Sequence, residues 1–550
     1  MNMKNPYKAA APDETIDRIV EIISRNQLPV REETLGDGDL FCSCRVYLSH
    51  DDDSSIGTNG KGMNPTYARA SGYAEFMERI QNRVIVYPNP ASENAPCRFF
   101  PDERLYSWNK QKLEENIRRF VPRVFPDCRL ETERVNGVSL PFYHVNTGTV
   151  EQIPYSLIRW VNGSNGMCAG NIPEEALIQG FNEIFERFCI QEMYIRRIVP
   201  PDVPVAVFEG TDILHRLHRM KAEYGMDFRI KDYSLGEGFP VLGLMVYSPD
   251  GTKYIMHLGA DLNPVIALER CFTEIFQGYT AHTVRFENDI NDCEKLNLFN
   301  EFKRSLMHGC GRLPLDYFTA PSSYEHTTHT TIQVGRNFRE DLNNICHWLM
   351  DKGYDIYIRD NSFMGFPTLQ IVVPGMSEID RTFCDLNRRV RHMQLTENRL
   401  NPLFRLRSLN VEESLETIAY LESLEVTGVD LFTRNSNKNN HVNRRLLLML
   451  LYLRTANEAK AREQIELYAA GGAPKTRVDS VRAVFERIKE NPDKALSIIA
   501  TPNCFSCLDC ELKEGCRYPL LREVEDKVQL AMSNYEFDQS KLEEMFIMVE

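Results

Sequence analysis

Two hydrophobic periods alternate along this chain. Runs such as LFCSCRVYL (40–48), LPFYHV (140–145), PVLGLMVY (240–247) and KYIMHLGA (253–260) repeat every second residue, as a half-buried strand does. They come in pairs: LFCSCRVYL with a short segment near Ile56, LPFYHV with IPYSLI, and PVLGLMVY with KYIMHLGA. The turns NTGT and SPDGT between the later pairs have hairpin chemistry. After each pair comes a glycine-bearing stretch read as a loop: TNGKGMN, SNGMCAGN or HLGADLN. Next is a segment of helical period. PTYARASGYAEFMER from Pro65, PEEALIQGFNEIFER from Pro173 and PVIALERCFTEIFQG from Pro264 align without gaps. The expected unit is therefore hairpin, loop, helix.

Each aligned helix has proline first, where a missing N–H is no loss, then alanine (Ala68, Ala176, Ala267) and glutamate (Glu75, Glu183, Glu274) at matching positions. The alanine would let another element approach closely. In the first helix Tyr73, Phe76, Met77 and Ile80 make an apolar face, while Ser71, Glu75 and Glu78 share the other. Alone, Glu75 and Arg79 would be an ordinary i,i+4 pair. Four residues before the aligned glutamates, however, stand Ser71, Gln179 and Arg270: a hydroxyl, an amide and a cation. Related helices lending different polar groups to one cavity explain that divergence. Converging carboxylates repel unless cations sit among them, and magnesium can bind carboxylates while holding phosphate oxygens. The pattern points to a magnesium–nucleotide site. TNGKG and SNGMCAG do not fit the P-loop spacing.

Length and charge narrow the setting. A chain of 550 residues exceeds one core, so two or three domains are expected. The net charge of −14 argues against general nucleic-acid binding or an anionic membrane partner. MNMKNPYKAAAPDETIDRIVEII has no signal-peptide run, and LLLMLLYL (446–453) is too short to span a bilayer and reads as a buried helix. An odd count of 15 cysteines suggests a reducing, cytoplasmic setting.

These motifs resemble the YcaO family, whose ATP-binding signature is Ser-x3-Glu-x2-Glu-Arg followed by Ser-x6-Glu-x3-Gln. The first matches at Ser71, Glu75, Glu78 and Arg79. The second matches at Glu175 and Gln179, with Cys168 in place of the leading serine. SNGMCAGN, QGFNEIFER, ALERCFTEIFQG, IVVPGMSEID and DLFTR extend the likeness over roughly residues 40–470. The resemblance implies an α/β fold binding ATP and Mg2+. By position, Glu75, Glu78, Glu183 and Glu186 would hold magnesium, and Ser71, Arg79, Asn171, Glu175, Gln179, Arg187 and Arg270 would hold nucleotide or phosphate. Lys61 in the first glycine stretch is a further phosphate candidate.

Many YcaO enzymes phosphorylate a peptide amide oxygen and form azolines or thioamides. Azoline-forming members end in Pro-x-Pro-x-Pro, whereas this sequence ends in EEMFIMVE and has only a short N-terminal extension. It is more similar to the stand-alone members, associated with β-methylthiolation of a ribosomal protein as accessory factors. The expected function is support of that modification, with a peptide or protein substrate and a radical methylthiotransferase or ribosomal protein as partner. An azoline- or thioamide-forming enzyme and a non-catalytic nucleotide-binding adaptor are the alternatives; a homodimer is left open.

From about residue 408 the period is helical throughout, in SLNVEESLETIAYLESL, HVNRRLLLMLLYLRTANEAKAREQIELYAA and RVDSVRAVFERIKENPDKALSII. The expected division is a YcaO domain (1–407), a helical, TPR-like module (408–500) and a C-terminal segment (501–550). In that segment Cys504, Cys507, Cys510 and Cys516 form CxxCxxCx5C, which could gather around zinc or an iron–sulfur cluster. Zinc is preferred because the last gap is wider than in ferredoxin loops.

Overall fold

Strands that run almost directly into helices dominate the architecture. Helix α1 (Pro12–Arg25) precedes an antiparallel sheet of β1 (Val30–Leu35), β2 (Cys42–Leu48) and β3 (Gly57–Gly62), and α2 (Pro65–Gln81) follows β3. The computed structural model describes residues 8–35, 40–49, 56–85, 99–124, 134–277, 286, 288–289, 312–379, 409–423, 428–430, 441–493, 495 and 518–546.

A second sheet holds β4 (Arg104–Asn109), β5 (Arg134–His144), β6 (Thr149–Ile153) and β7 (Met167–Ala169), with α3 (Lys110–Phe120) and α4 (Tyr155–Asn162) between them in sequence. β7 leads into α5 (Pro173–Arg196). The third sheet has β8 (Phe228–Asp232), β9 (Val241–Tyr247), β10 (Lys253–Ala260) and β11 (Asn288–Asp289). α6 (Asp212–Tyr224) precedes it, and α7 (Pro264–Ile275) follows β10. After α8 (Phe338–Asp351), β12 (Tyr357–Asp360) and β13 (Thr368–Val372) return to the second sheet, giving the order β4-β5-β12-β13-β7 with β6 on β5.

Two expectations are corrected. The stretches read as glycine loops are largely strand: Gly57–Gly62 is β3, Met167–Ala169 is β7, and β10 runs through Ala260. Their glycines serve packing. A Cβ on Gly60 would stand 2.1 Å from the Ala68 carbonyl oxygen, and one on Gly259 would stand 2.3 Å from that of Ala267. Strand and helix are in backbone contact, which is what the aligned alanines permit. IPYSLI is no second strand either: Ile153 ends β6 and Tyr155 begins α4. The strand before α5 instead pairs with β13, more than 190 residues later, as in Leu369 opposite Cys168.

All three aligned helices have proline in the first turn; Asn64 and Asn263 cap α2 and α7. Besides its own strand, α2 packs on β7, α5 on β10 and α7 on β3. This cyclic arrangement turns the three polar faces toward one another. Tyr73, Phe76, Met77 and Ile80 are buried as their spacing predicts.

Val411–Glu422, Arg444–Arg454, Glu458–Ala470 and Lys475–Ile488 are helices around a core of their own, in which Leu446 to Leu453 are all buried. Helix Tyr518–Ser533 places Val524, Val528 and Met532 in the same core as α1 and α2. Among the described residues no helix is long and apolar enough to cross a membrane.

Candidate functional site

Helices α2, α5 and α7 bring acids and bases into one cleft. On α2 the Arg79 guanidinium lies 3.3 Å from Glu75 and 3.2 Å from Glu78. On α5, Glu186 accepts the Ala260 N–H at 2.8 Å and lies 3.3 Å from Arg270 of α7. Lys61, half-buried on β3, pairs with Glu274 of α7. Ser71 stands one turn before Glu75, half-buried on the same helix.

The start of α5 is met by the N-terminal segment. Asn171 Nδ2 donates to Glu175 at 3.2 Å, and its Oδ1 accepts from Thr15 at 2.8 Å. Lys8 Nζ donates to Gln179 Oε1 at 3.0 Å and lies 3.3 Å from Glu175, which also accepts the Ala9 N–H at 3.1 Å.

Electrostatics tie the helices together. Burial pushes the Glu78 carboxyl up to about 8, against the pull of Arg79. Glu183 is likewise raised by burial, opposed by Arg187 and Arg79. Burial and Arg270 pull the Lys61 ammonium down to about 8, while Glu186, Glu75 and Glu183 oppose the shift. Lys61 therefore responds to carboxylates of both α2 and α5 while pairing with one on α7.

A family model described as YcaO cyclodehydratase, ATP- and Mg2+-binding, matches residues 59–377, more than half of the chain. The chain belongs to the YcaO family. An Escherichia coli protein named ribosomal protein S12 methylthiotransferase accessory factor YcaO is 25% identical over 403 residues, 68% of this chain and 66% of that one. An uncharacterised protein of Haemophilus influenzae is 25% identical over 356 residues, 61% of this chain and 59% of that one. The chain thus spans less than two thirds of the length of either curated relative. A solved YcaO from Methanopyrus kandleri, bound with AMPPCP and Mg2+, superposes with a TM-score of 0.42 at 16% identity, covering 68% of this chain and 93% of that one.

The donor set suits a divalent cation. Glu78 Oε1 is buried without a hydrogen bond, because the Arg79 contact lacks hydrogen-bond geometry. Yet among the described residues no three His, Cys, Asp or Glu side chains are gathered as a ready metal cage. Arg79, Arg270 and Lys61 stand between the carboxylates of this YcaO cleft. Cys504, Cys507, Cys510 and Cys516 lie outside the described residues.

Cys168 has a packing role. It is 1% exposed, its thiol donates to the Leu369 carbonyl at 3.6 Å, and a Cβ on Gly180 would stand 3.0 Å from its sulfur. In the helix alignment, the strand–helix pairs at this level are Gly60 with Gly72, Cys168 with Gly180, and Gly259 with Cys271. In the α5 and α7 units the bulk of a cysteine on one element is matched by glycine on the other, whereas in the α2 unit both positions are glycine.

Several cleft residues escaped the sequence reading. Glu274 aligns with Glu75, but the sequence motifs assign it no role. His257 on β10 is buried, and burial with nearby Lys61 and Arg187 pulls it down to about 3, so it is neutral. Burial raises Asp261 to about 6, with Arg270 and Lys8 opposing. Lys8 reaches the cleft across 171 residues, and nothing in its local sequence signals this.

Proposed function

We propose that this YcaO protein binds ATP with Mg2+ between α2, α5 and α7 and supports modification of a peptide or protein backbone, as an accessory factor in β-methylthiolation of a ribosomal protein. The observation carrying the binding is Glu78: a buried carboxyl oxygen without a hydrogen bond, in reach of the field of Glu183 on the facing helix. Glu75, Glu78, Glu183 and Glu186 would hold the metal after releasing their arginine contacts, and those arginines would then be available to phosphate oxygens. ATP, when bound with magnesium, would supply a phosphoryl group that makes an amide oxygen a good leaving group. Arg79, Arg187 and Arg270 would orient the phosphates, and Lys61 would add a nearby positive charge. Asn171, Glu175 and Gln179 present an acid and two amides suited to the rest of the nucleotide.

The accessory role is supported by the name of the E. coli relative. A second reading, peptide cyclodehydration, is favoured by the family model's description. Intact-mass analysis of ribosomal proteins from cells with and without this protein separates them. A methylthio mass increment that disappears with the protein is expected. Unchanged ribosomal proteins, together with a precursor peptide that loses water when mixed with ATP and this protein, would overturn the accessory reading. A nucleotide-binding adaptor would instead leave ATP uncleaved throughout.

A further inference from the structure

The residues just past the glutamates of α2 are the most thoroughly buried polar run in the described fold. Gln81, Asn82 and Arg83 are all 0% exposed. Buried amides and a buried guanidinium cost stability unless bonded, so their partners reveal what the run holds. The Gln81 amide donates to Phe366 O at 2.8 Å and Thr368 Oγ1 at 2.6 Å, and accepts the Met364 N–H at 2.7 Å. Asn82 Oδ1 accepts from Asn361 at 2.9 Å, and Asn82 Nδ2 donates to the Leu369 carbonyl at 3.4 Å. Arg83 Nη2 donates to Glu525 of helix Tyr518–Ser533 at 2.7 Å. Arg159 of α4 donates to the backbone carbonyls of Asn82 and Arg83.

One acceptor in this network is shared. The Leu369 carbonyl receives both Asn82 at the end of α2 and Cys168 on β7, the strand that feeds α5. β13, which carries Leu369, is hydrogen-bonded to β7 through three residue pairs. The end of the Glu75–Glu78 helix is thus bonded to the platform from which the Glu183–Glu186 helix departs. Gln81 lies one turn beyond Glu78, so a shift of this anchor moves Glu78 with it.

We propose that Gln81 and Asn82 are positioning residues that set the spacing between the two glutamate pairs, and that Glu525 makes the C-terminal helix part of the same frame through Arg83. This rests on the Mg–ATP reading of the cleft for its functional consequence, but not for its structural one. No step of the chemistry passes through these side chains. They act through Glu75 and Glu78 on one side and through β7 and α5 on the other.

The test compares three latch variants, which cut the hydrogen bonds latching the end of α2 to β13 and, through it, to β7 (Gln81→Ala, Asn82→Ala and the milder Asn82→Ser), with Val528→Ala, a cavity change in the same core that touches none of those bonds. Two measurements are made on the full chain: deuterium uptake in the nucleotide-free protein, and the Mg2+ concentration needed for half-maximal ATP binding, at a temperature below every melting point. The latch variants should exchange faster both at the end of α2 and in β7 with the first turn of α5, whereas Val528→Ala should loosen mainly its own helix. The Mg2+ requirement should rise at least fivefold in the latch variants and less than twofold in Val528→Ala. Uptake confined to α2, or an equal rise in the control, would overturn the proposal. If the wild-type chain shows no Mg-dependent ATP binding, the functional reading fails, while joint exchange of α2 and β7 still decides the latch.

Discussion

The α2 and α5 units and the α7 unit share a register but differ in chemistry. The first two carry Glu-x2-Glu-Arg, at Glu75 to Arg79 and at Glu183 to Arg187. The third keeps Glu274 but puts Gln277 and Gly278 where the others have glutamate and arginine. Gln277 donates to the Asn59 carbonyl of β3, tying α7 to the first sheet. Its neighbour Arg270 instead crosses to Glu186, and Glu274 takes Lys61. Two units therefore concentrate negative charge, and the third brings in Arg270 and pairs the one glutamate it keeps from the motif, Glu274, with Lys61. A cleft with three identical acid pairs would hold six carboxylates in mutual repulsion. On the proposed Mg–ATP reading, breaking the repeat once would leave room for phosphate beside metal.

The sharpest way to break this comparison is to exchange charge for amide. Glu183→Gln or Glu75→Gln should weaken Mg-dependent ATP binding by about 100-fold or more, with circular dichroism unchanged. Gln277→Ala should cost less than about fivefold, since that amide only bonds a backbone carbonyl. Calorimetry finding equal losses in the two groups would mean that the units contribute alike. ATP affinity unchanged in both glutamate variants would remove the site.

Packing offers the next test. Gly60→Ala forces a methyl group against the Ala68 backbone and should cost about 3 kcal/mol or more of stability. Gly180→Ala meets side chains, Ile371 and Cys168, at 2.8 and 3.0 Å, so about 1–2 kcal/mol is expected. Cys168→Ala added to Gly180→Ala should recover part of that loss, whereas Cys168→Ala added to Gly60→Ala should recover none. Chemical denaturation of the four variants reads the coupling. Recovery in neither pair would mean that strand and helix do not trade volume at this level.

A smaller effect concerns protons. With Glu78 raised to about 8, the nucleotide-free protein holds a proton there at pH 7, which magnesium bound as proposed would have to displace. ATP binding with Mg2+ should release on the order of one proton at pH 7 and tighten as pH rises from 6 to 8. Above 8 the gain should level off as Lys61, lowered to about 8, loses its charge. The sign for folding is opposite. A carboxyl raised in the folded state favours folding at low pH, and that contribution falls as pH climbs from the ordinary carboxylate range toward 8. Calorimetry in two buffers of different ionisation heat counts the protons; zero release would contradict the buried, protonated Glu78.

The same contrast explains what could be read in advance. Proline, alanine and glutamate at fixed intervals announced three related helices, because each position has one physical job: entry, close packing and charge. Strand β3 was legible only as a short partner near Ile56, because GTNGKG has the composition of a loop; its glycines answer to Ala68 and Gly72 on α2, which local propensity does not include. The strand before α5 was hidden because its partner is β13, far away in sequence. Lys8 and the Gln81–Asn82–Arg83 run were silent for that reason too, since an isolated polar residue carries no period.

The finest distinction lies at Cys168, where the second motif has a thiol in place of serine. If that position bound phosphate, serine would be the better donor and Cys168→Ser would tighten ATP binding markedly. The packing of the thiol argues otherwise: it is buried, faces Gly180 and donates to Leu369 rather than into open cleft. Burial, reinforced by Glu78 and Glu183, raises the thiol well above its ordinary range, so it stays protonated and unreactive. Serine in its place would keep a donor for Leu369 but lose sulfur contacts with Gly180, at a cost of about 1 kcal/mol or less. ATP affinity should stay within about twofold, or improve slightly, while the midpoint of denaturation falls a little. A loss of binding beyond tenfold with the fold intact would show that the thiol acts on the nucleotide. In that case the α5 unit would differ from the α2 unit in chemistry as well as in volume.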